Sequence, residues 1–104
     1  MADHLGILVS SDRHLDYVVH MTRAAHAKGK QISLFFTGRG VLLTLASQFG
    51  ELVGKARLAV CDISFREYGL PDRMEEIPCV ERVEFATQAK HAQILSESDR
   101  YLVF

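Results

Sequence analysis

The stretch Arg57-Leu58-Ala59-Val60-Cys61-Asp62-Ile63-Ser64-Phe65-Arg66-Glu67-Tyr68-Gly69 decides the fold. It opens on a short apolar run and continues into a segment that reads as a short helix. Three further apolar runs stand at Leu5-Gly6-Ile7-Leu8-Val9, Ile32-Ser33-Leu34-Phe35-Phe36 and Tyr101-Leu102-Val103-Phe104. A strand with one wet face alternates apolar and polar residues. Uninterrupted apolar runs instead mark strands covered on both faces, as in parallel sheets.

The segments between the runs read as helices. Over residues 12–28, Leu15, Val18, Val19, Thr22 and Ala25 share one face. Ser11 or Asp12 is expected to cap the start of this helix, and Gly29 its end. Residues 40–49 predict a second helix on Val41, Leu42, Leu45 and Phe49, with Gly50 and Gly54 at its exit. Residues 80–97 predict another, on the looser stripe Val80, Val83, Thr87 and Ile94. Residues 70–78 hold both prolines and read as an irregular turn. The order β-α-β-α-β-α-loop-α-β predicts an α/β fold with right-handed crossovers. Its sheet is mainly parallel, of four to five strands, with helices on both faces.

A chain of 104 residues is expected to form one domain, spanning 1–104. Its 12 Lys+Arg against 13 Asp+Glu give a net charge of −1, with no basic excess to draw nucleic acid. No apolar run is long enough to span a bilayer. Met1-Ala2-Asp3-His4 lacks a positive leader and residues 5–9 are too short for a signal peptide, so a cytoplasmic location is expected. There the two cysteines stay reduced, and their spacing suits neither a disulfide framework nor a zinc ribbon.

In a parallel sheet the C-terminal strand ends share one edge, where ligands bind at the point of strand-order reversal. That edge gathers Ser10, Ser11 and Asp12, then Thr37, Gly38, Arg39 and Gly40, and finally Cys61 and Asp62. Cys61 ends a strand and precedes a helix, where the helix dipole favours the thiolate, the nucleophilic form of cysteine. The competing reading is a small residue packed at a strand end. Cys79, at a loop-to-helix entry, reads as packing or as a resolving thiol. The turn Thr37-Gly38-Arg39-Gly40 suits an anion or a persulfide, or its glycines simply permit a tight turn. It lacks the third glycine of a dinucleotide fingerprint and a phosphate-loop lysine. His14, His20 and His26 are spaced by six, so they point in different directions around a helix and share no metal. Asp12 and Asp62 read as helix caps. No cofactor or metal is expected.

Together these residues resemble the DsrE/DsrF/TusD-like family. Gly29-Lys30-Gln31-Ile32-Ser33-Leu34-Phe35-Phe36-Thr37-Gly38-Arg39-Gly40-Val41 is similar to its second strand and following turn. The stretch from Leu58 through Cys61 to Gly69-Leu70 looks like its third strand, cysteine and short helix. The ending Ser98-Asp99-Arg100-Tyr101-Leu102-Val103-Phe104 looks like its closing strand. The resemblance implies a three-layer sandwich assembled as a homotrimer or hexamer. It also implies a sulfur-relay role in which Cys61 carries sulfane sulfur between a donor and an acceptor protein. The region 70–79 is abbreviated relative to the family. The alternative function is a binding or assembly module in which Cys61 only packs and the apolar last strand makes subunit contacts.

Overall fold

In the computed structural model, which describes residues 3–104, the four apolar runs form strands β1 (His4–Val9), β2 (Gln31–Phe36), β3 (Arg57–Cys61) and β5 (Arg100–Val103). A further strand, β4 (Val83–Ala86), joins them. All the pairings are parallel, in the order β4-β3-β2-β1-β5. The chain steps outward from β1 to β4 and then returns to the far side of β1. Strand order therefore reverses between β1 and β5.

That reversal accounts for the two layers of helix. Helix α1 (Leu15–Ala27), the two 3-10 segments Gly38–Leu45 and Ser47–Leu52, and α2 (Asp62–Glu67) belong to the outward crossovers. They cover one face, because right-handed crossovers in one direction all fall on the same side. The return crossover carries α3 (Gln88–Glu97) over the other face. Side chains alternate accordingly. Leu5, Ile7 and Val9, Ile32, Leu34 and Phe36, and Leu58 and Val60 enter the main core. Phe35, Ala59 and Cys61 lie beneath Ile94 of α3 in a smaller cluster. Gly6 makes this contact possible, since a Cβ there would run into Ser98 Oγ and lie 2.9 Å from the Tyr101 ring.

Helix α1 buries the expected face, Leu15, Val18, Val19, Thr22 and Ala25, and Gly29 exits it at φ 76°. Its start corrects the sequence reading. His14 holds the N-cap position without a side-chain bond, while Ser11 Oγ accepts from Arg13 N–H at 3.2 Å and Asp12 faces Arg39. The helix expected over 40–49 is replaced by two 3-10 segments. Extended Ala46 (ψ 141°) separates them, and the Thr44 hydroxyl donates to the Val41 carbonyl at 2.8 Å. The helix expected over 80–97 divides in three: a 3-10 turn (Val80–Arg82), strand β4 and helix α3. Val83 and Phe85 face the core and Glu84 is exposed, which is strand periodicity, and Thr87 caps α3 by accepting from Ala89 N–H. Residues 70–78, read as an irregular turn, contain the 3-10 segment Leu70–Glu76.

Candidate functional site

Parallel pairing brings Ser10, Thr37 and Cys61 to the same edge of the sheet, the first two just past the ends of β1 and β2 and the third at the end of β3. Cys61 is the last residue of β3 and also the N-cap of α2. Its side chain lies on the α3 side and is 4% exposed. Ser64, in the first turn of α2, is buried as well. Its hydroxyl accepts from Gly38 N–H at 3.0 Å and lies 3.4 Å from Thr37 Oγ1. From the opposite layer, Gln88 at the start of α3 reaches over the same point. Its amide donates to Thr37 Oγ1 at 3.4 Å and approaches Cys61 Sγ at 3.7 Å. Three neutral side chains from three elements thus converge on one thiol.

Their effect on the sulfur is electrostatic. Burial opposes the thiolate and pushes the thiol up, because a charge loses hydration there. Donation from the Ser64 hydroxyl and N–H, then from Thr37 and Gln88, outweighs burial, and the net shift is downward. Ser64 Oγ accepts from Gly38 N–H, so its own proton is free to donate. The groups that favour the thiolate carry no charge. Arg39 plays no part in that set, being an exposed guanidinium paired with Asp12 at 3.3 Å.

The turn after β2 is folded inward rather than left open. Gly38 adopts φ 52°, its N–H is taken by Ser64, and Gly40 N–H donates to the Thr37 carbonyl at 2.9 Å. Gly40 abuts β1, where an added Cβ would run into the Val9 carbonyl oxygen and lie 2.8 Å from its carbon. At the strand-order reversal Ser10 N–H donates to the main-chain oxygen of Phe104 at 2.7 Å, and Ser11 N–H to the same oxygen at 3.3 Å. Cys61 is therefore on the C-terminal edge but not at the reversal point, from which β1 and β2 separate it. Asp62 opens α2 and pairs with Arg66 at 2.6 Å along the helix, a first-turn acid favoured by the dipole rather than a cap.

Two members of this arrangement escaped the sequence reading. Ser64 stands at the third position after Cys61, where a side chain can turn back to an N-cap, and that spacing was a usable signal. Gln88 had none, since it meets Cys61 only through the return crossover. The histidines scatter. His20 and His26 are exposed, while His14 packs against Tyr17 and Phe104, with centroids 6.0 and 6.3 Å away. Cys79 is exposed, at φ 53°.

The sequence model of the DsrE/DsrF-like family matches residues 4–104. Among solved structures, the crystal structure of the ychN protein from E. coli is similar at a TM-score of 0.71 and 16% identity, covering 100% of both chains. That likeness is one of fold. No curated protein matches the sequence. Among the described residues no helix is long and apolar enough to cross a membrane.

Proposed function

This chain belongs to the DsrE/DsrF-like family, and from that premise we propose that it is a sulfur carrier that holds sulfane sulfur as a persulfide on Cys61. The observation that carries this reading is the placing of Cys61, a buried thiol that ends β3, opens α2 and takes the Gln88 amide at 3.7 Å, among polar neighbours that favour the thiolate despite burial. A packing cysteine needs no such neighbours.

In the loading step the Cys61 thiolate attacks the outer sulfur of a donor persulfide, R–S–SH. A bond forms between Cys61 Sγ and that sulfur, the donor's S–S bond breaks, and the donor's inner sulfur leaves as a thiolate. The product is Cys61–S–SH. In the unloading step an acceptor thiolate attacks the outer sulfur and Cys61 departs as thiolate. Each step is an exchange with no net redox change, so it calls for a low-pKa, accessible sulfur and a docked partner. The Ser64, Thr37 and Gln88 donors stabilise the Cys61 thiolate as attacking and as leaving group. Access requires the Gln88 side chain to move off the sulfur. Mass spectrometry after incubation with a cysteine-desulfurase donor tests the reading. One added sulfur is expected on wild type and Cys79→Ser, and none on Cys61→Ser. An adduct that survives Cys61→Ser removes Cys61 from the role.

A second reading rests on a different observation. Val103, on edge strand β5, is 62% exposed and Leu95 of α3 is 49% exposed. An apolar edge of this kind suits an assembly module, closing on copies of the same chain as a trimer or hexamer. Light scattering separates the readings when Val103→Lys is compared with wild type. A change of mass without loss of sulfur loading makes assembly distinct from carriage.

A further inference from the structure

Two cavities of the molecule lie away from Cys61. One, of about 390 Å³, opens at the N-terminal ends of the strands. Arg57, on its wall, begins β3 and Cys61 ends it, four residue steps or about 13 Å along the strand. The cavity is lined by Lys30, Lys55, Arg57 and Arg82, with His4 and Ser33 between them, and by no Asp or Glu. Lys30 is paired with Asp3 at 2.6 Å, and Lys55 Nζ donates to the Glu51 carbonyl at 3.0 Å. Among the described residues no carboxylate pairs with Arg57 or Arg82. These two arginines stand side by side. Leu58 pairs with Val83, and each is directly preceded by one of the arginines: Arg57 opens β3, and Arg82 ends the 3-10 turn that leads into β4. Two cations lining one cavity repel each other. The chain carries a net charge of −1, so this concentration of cations is local rather than a share of overall basicity.

The buried polar group points the same way. Ser33 is 3% exposed within an otherwise apolar strand, and its hydroxyl meets His4 Nε2 at 2.8 Å on the cavity wall. A recess with guanidinium groups on its rim and a hydroxyl–imidazole pair on its wall can hold an oxyanion by fork-shaped donation. Its volume falls in the range of small-molecule sites. We propose that this cavity binds a small molecule bearing two or more phosphate groups, held chiefly by Arg57 and Arg82. The site stands independently of the thiol at the other end of the sheet.

Titration calorimetry of the whole chain with inorganic pyrophosphate, in about 0.1 M salt where surface attraction is screened, tests it. One saturable site is expected, with inorganic phosphate binding more weakly. Arg57→Gln and Arg82→Gln should each weaken binding about tenfold, the scale of one charged hydrogen bond. Arg13→Gln, exposed and at the opposite edge, should leave it unchanged. Both cavity arginines are exposed, so the variants keep their core, and a second readout is thermal. Pyrophosphate should raise the melting temperature of wild type and not that of the double variant. Unsaturable binding, or wild-type affinity in the double variant, overturns the proposal. So does an oligoglutamate peptide that displaces pyrophosphate at lower concentration, since the cavity then fits a protein partner.

Discussion

Burial alone leaves a thiol protonated and inert, so the proposed reactivity of Cys61 depends on what its neighbours donate. Ser64 is the largest of these donors, through both its hydroxyl and its N–H. Ser64→Ala removes the hydroxyl and orphans the Gly38 N–H it accepts. The pH midpoint for iodoacetamide alkylation of Cys61 should move upward and the rate at neutral pH fall severalfold, with about 1 kcal/mol of stability lost. An unchanged midpoint means that the hydroxyl does not act on the sulfur. The same lowered pKa links stability to pH. Because the folded thiol titrates below the ordinary 9.0, the unfolded chain binds the extra proton between the two values. The stability of wild type relative to Cys61→Ala should therefore grow as pH rises, be fully present above 9.0, and be lost as pH falls through the folded value. Urea titrations across that range read it directly, and a difference flat in pH contradicts the shift.

Elements place these residues, and the turn after β2 is the tightest of them. Gly40 lies against the Val9 carbonyl, so Gly40→Ala must push the turn off β1. The expected cost is about 2–4 kcal/mol, within the range of strained backbone sites. Thr37 moves with the turn, because the Gly40 N–H donates to its carbonyl. Slower alkylation of Cys61 should accompany the lost stability, whereas stability loss alone would uncouple the turn from the site. The sequence showed this edge of the sheet because four continuous apolar runs leave little choice of strand. It concealed β4 because Val83-Glu84-Phe85-Ala86 is short enough to fit a loose helical stripe as well as an alternating strand. The segment after Gly40 kept helical spacing until extended Ala46 broke it, and no local residue announces that break. Cys61 and Thr37 were legible as strand-end residues. Gln88 was not, because its contact with Cys61 spans 27 positions and depends on which face the return crossover takes.

The whole molecule is lopsided in a way that bears on access to the thiol. One face of the sheet packs beneath α1, the 3-10 segments and α2, with a core that runs from Leu5 to Ile77. On the other face Ile94 of α3 meets only Phe35, Ala59 and Cys61 among fully buried side chains. Around them His91 stacks between Phe35 and Tyr101 at 5.7 and 5.8 Å, with His91 Nε2 and Tyr101 Oη buried and unpartnered. With Ile94 as its one buried residue and the unpartnered His91 Nε2 beside it, α3 is expected to open at lower free energy than the main core. It is also the element that brings Gln88 to Cys61. Local release of α3 would uncover the sulfur without unfolding the main core, and so open a thiol 4% exposed to the proposed exchange. Ile94→Ala should cost about 2–4 kcal/mol. Its effect should fall on α3 first, with faster amide exchange there than in β1–β3, and Cys61 alkylation should speed up in parallel. Val18→Ala, an α1 truncation into the main core, sets the comparison, because it weakens the fold without loosening α3. Equal acceleration by the two variants would mean that the thiol is reached only through global unfolding. Faster α3 exchange with an unchanged alkylation rate would place the route to sulfur elsewhere on the edge.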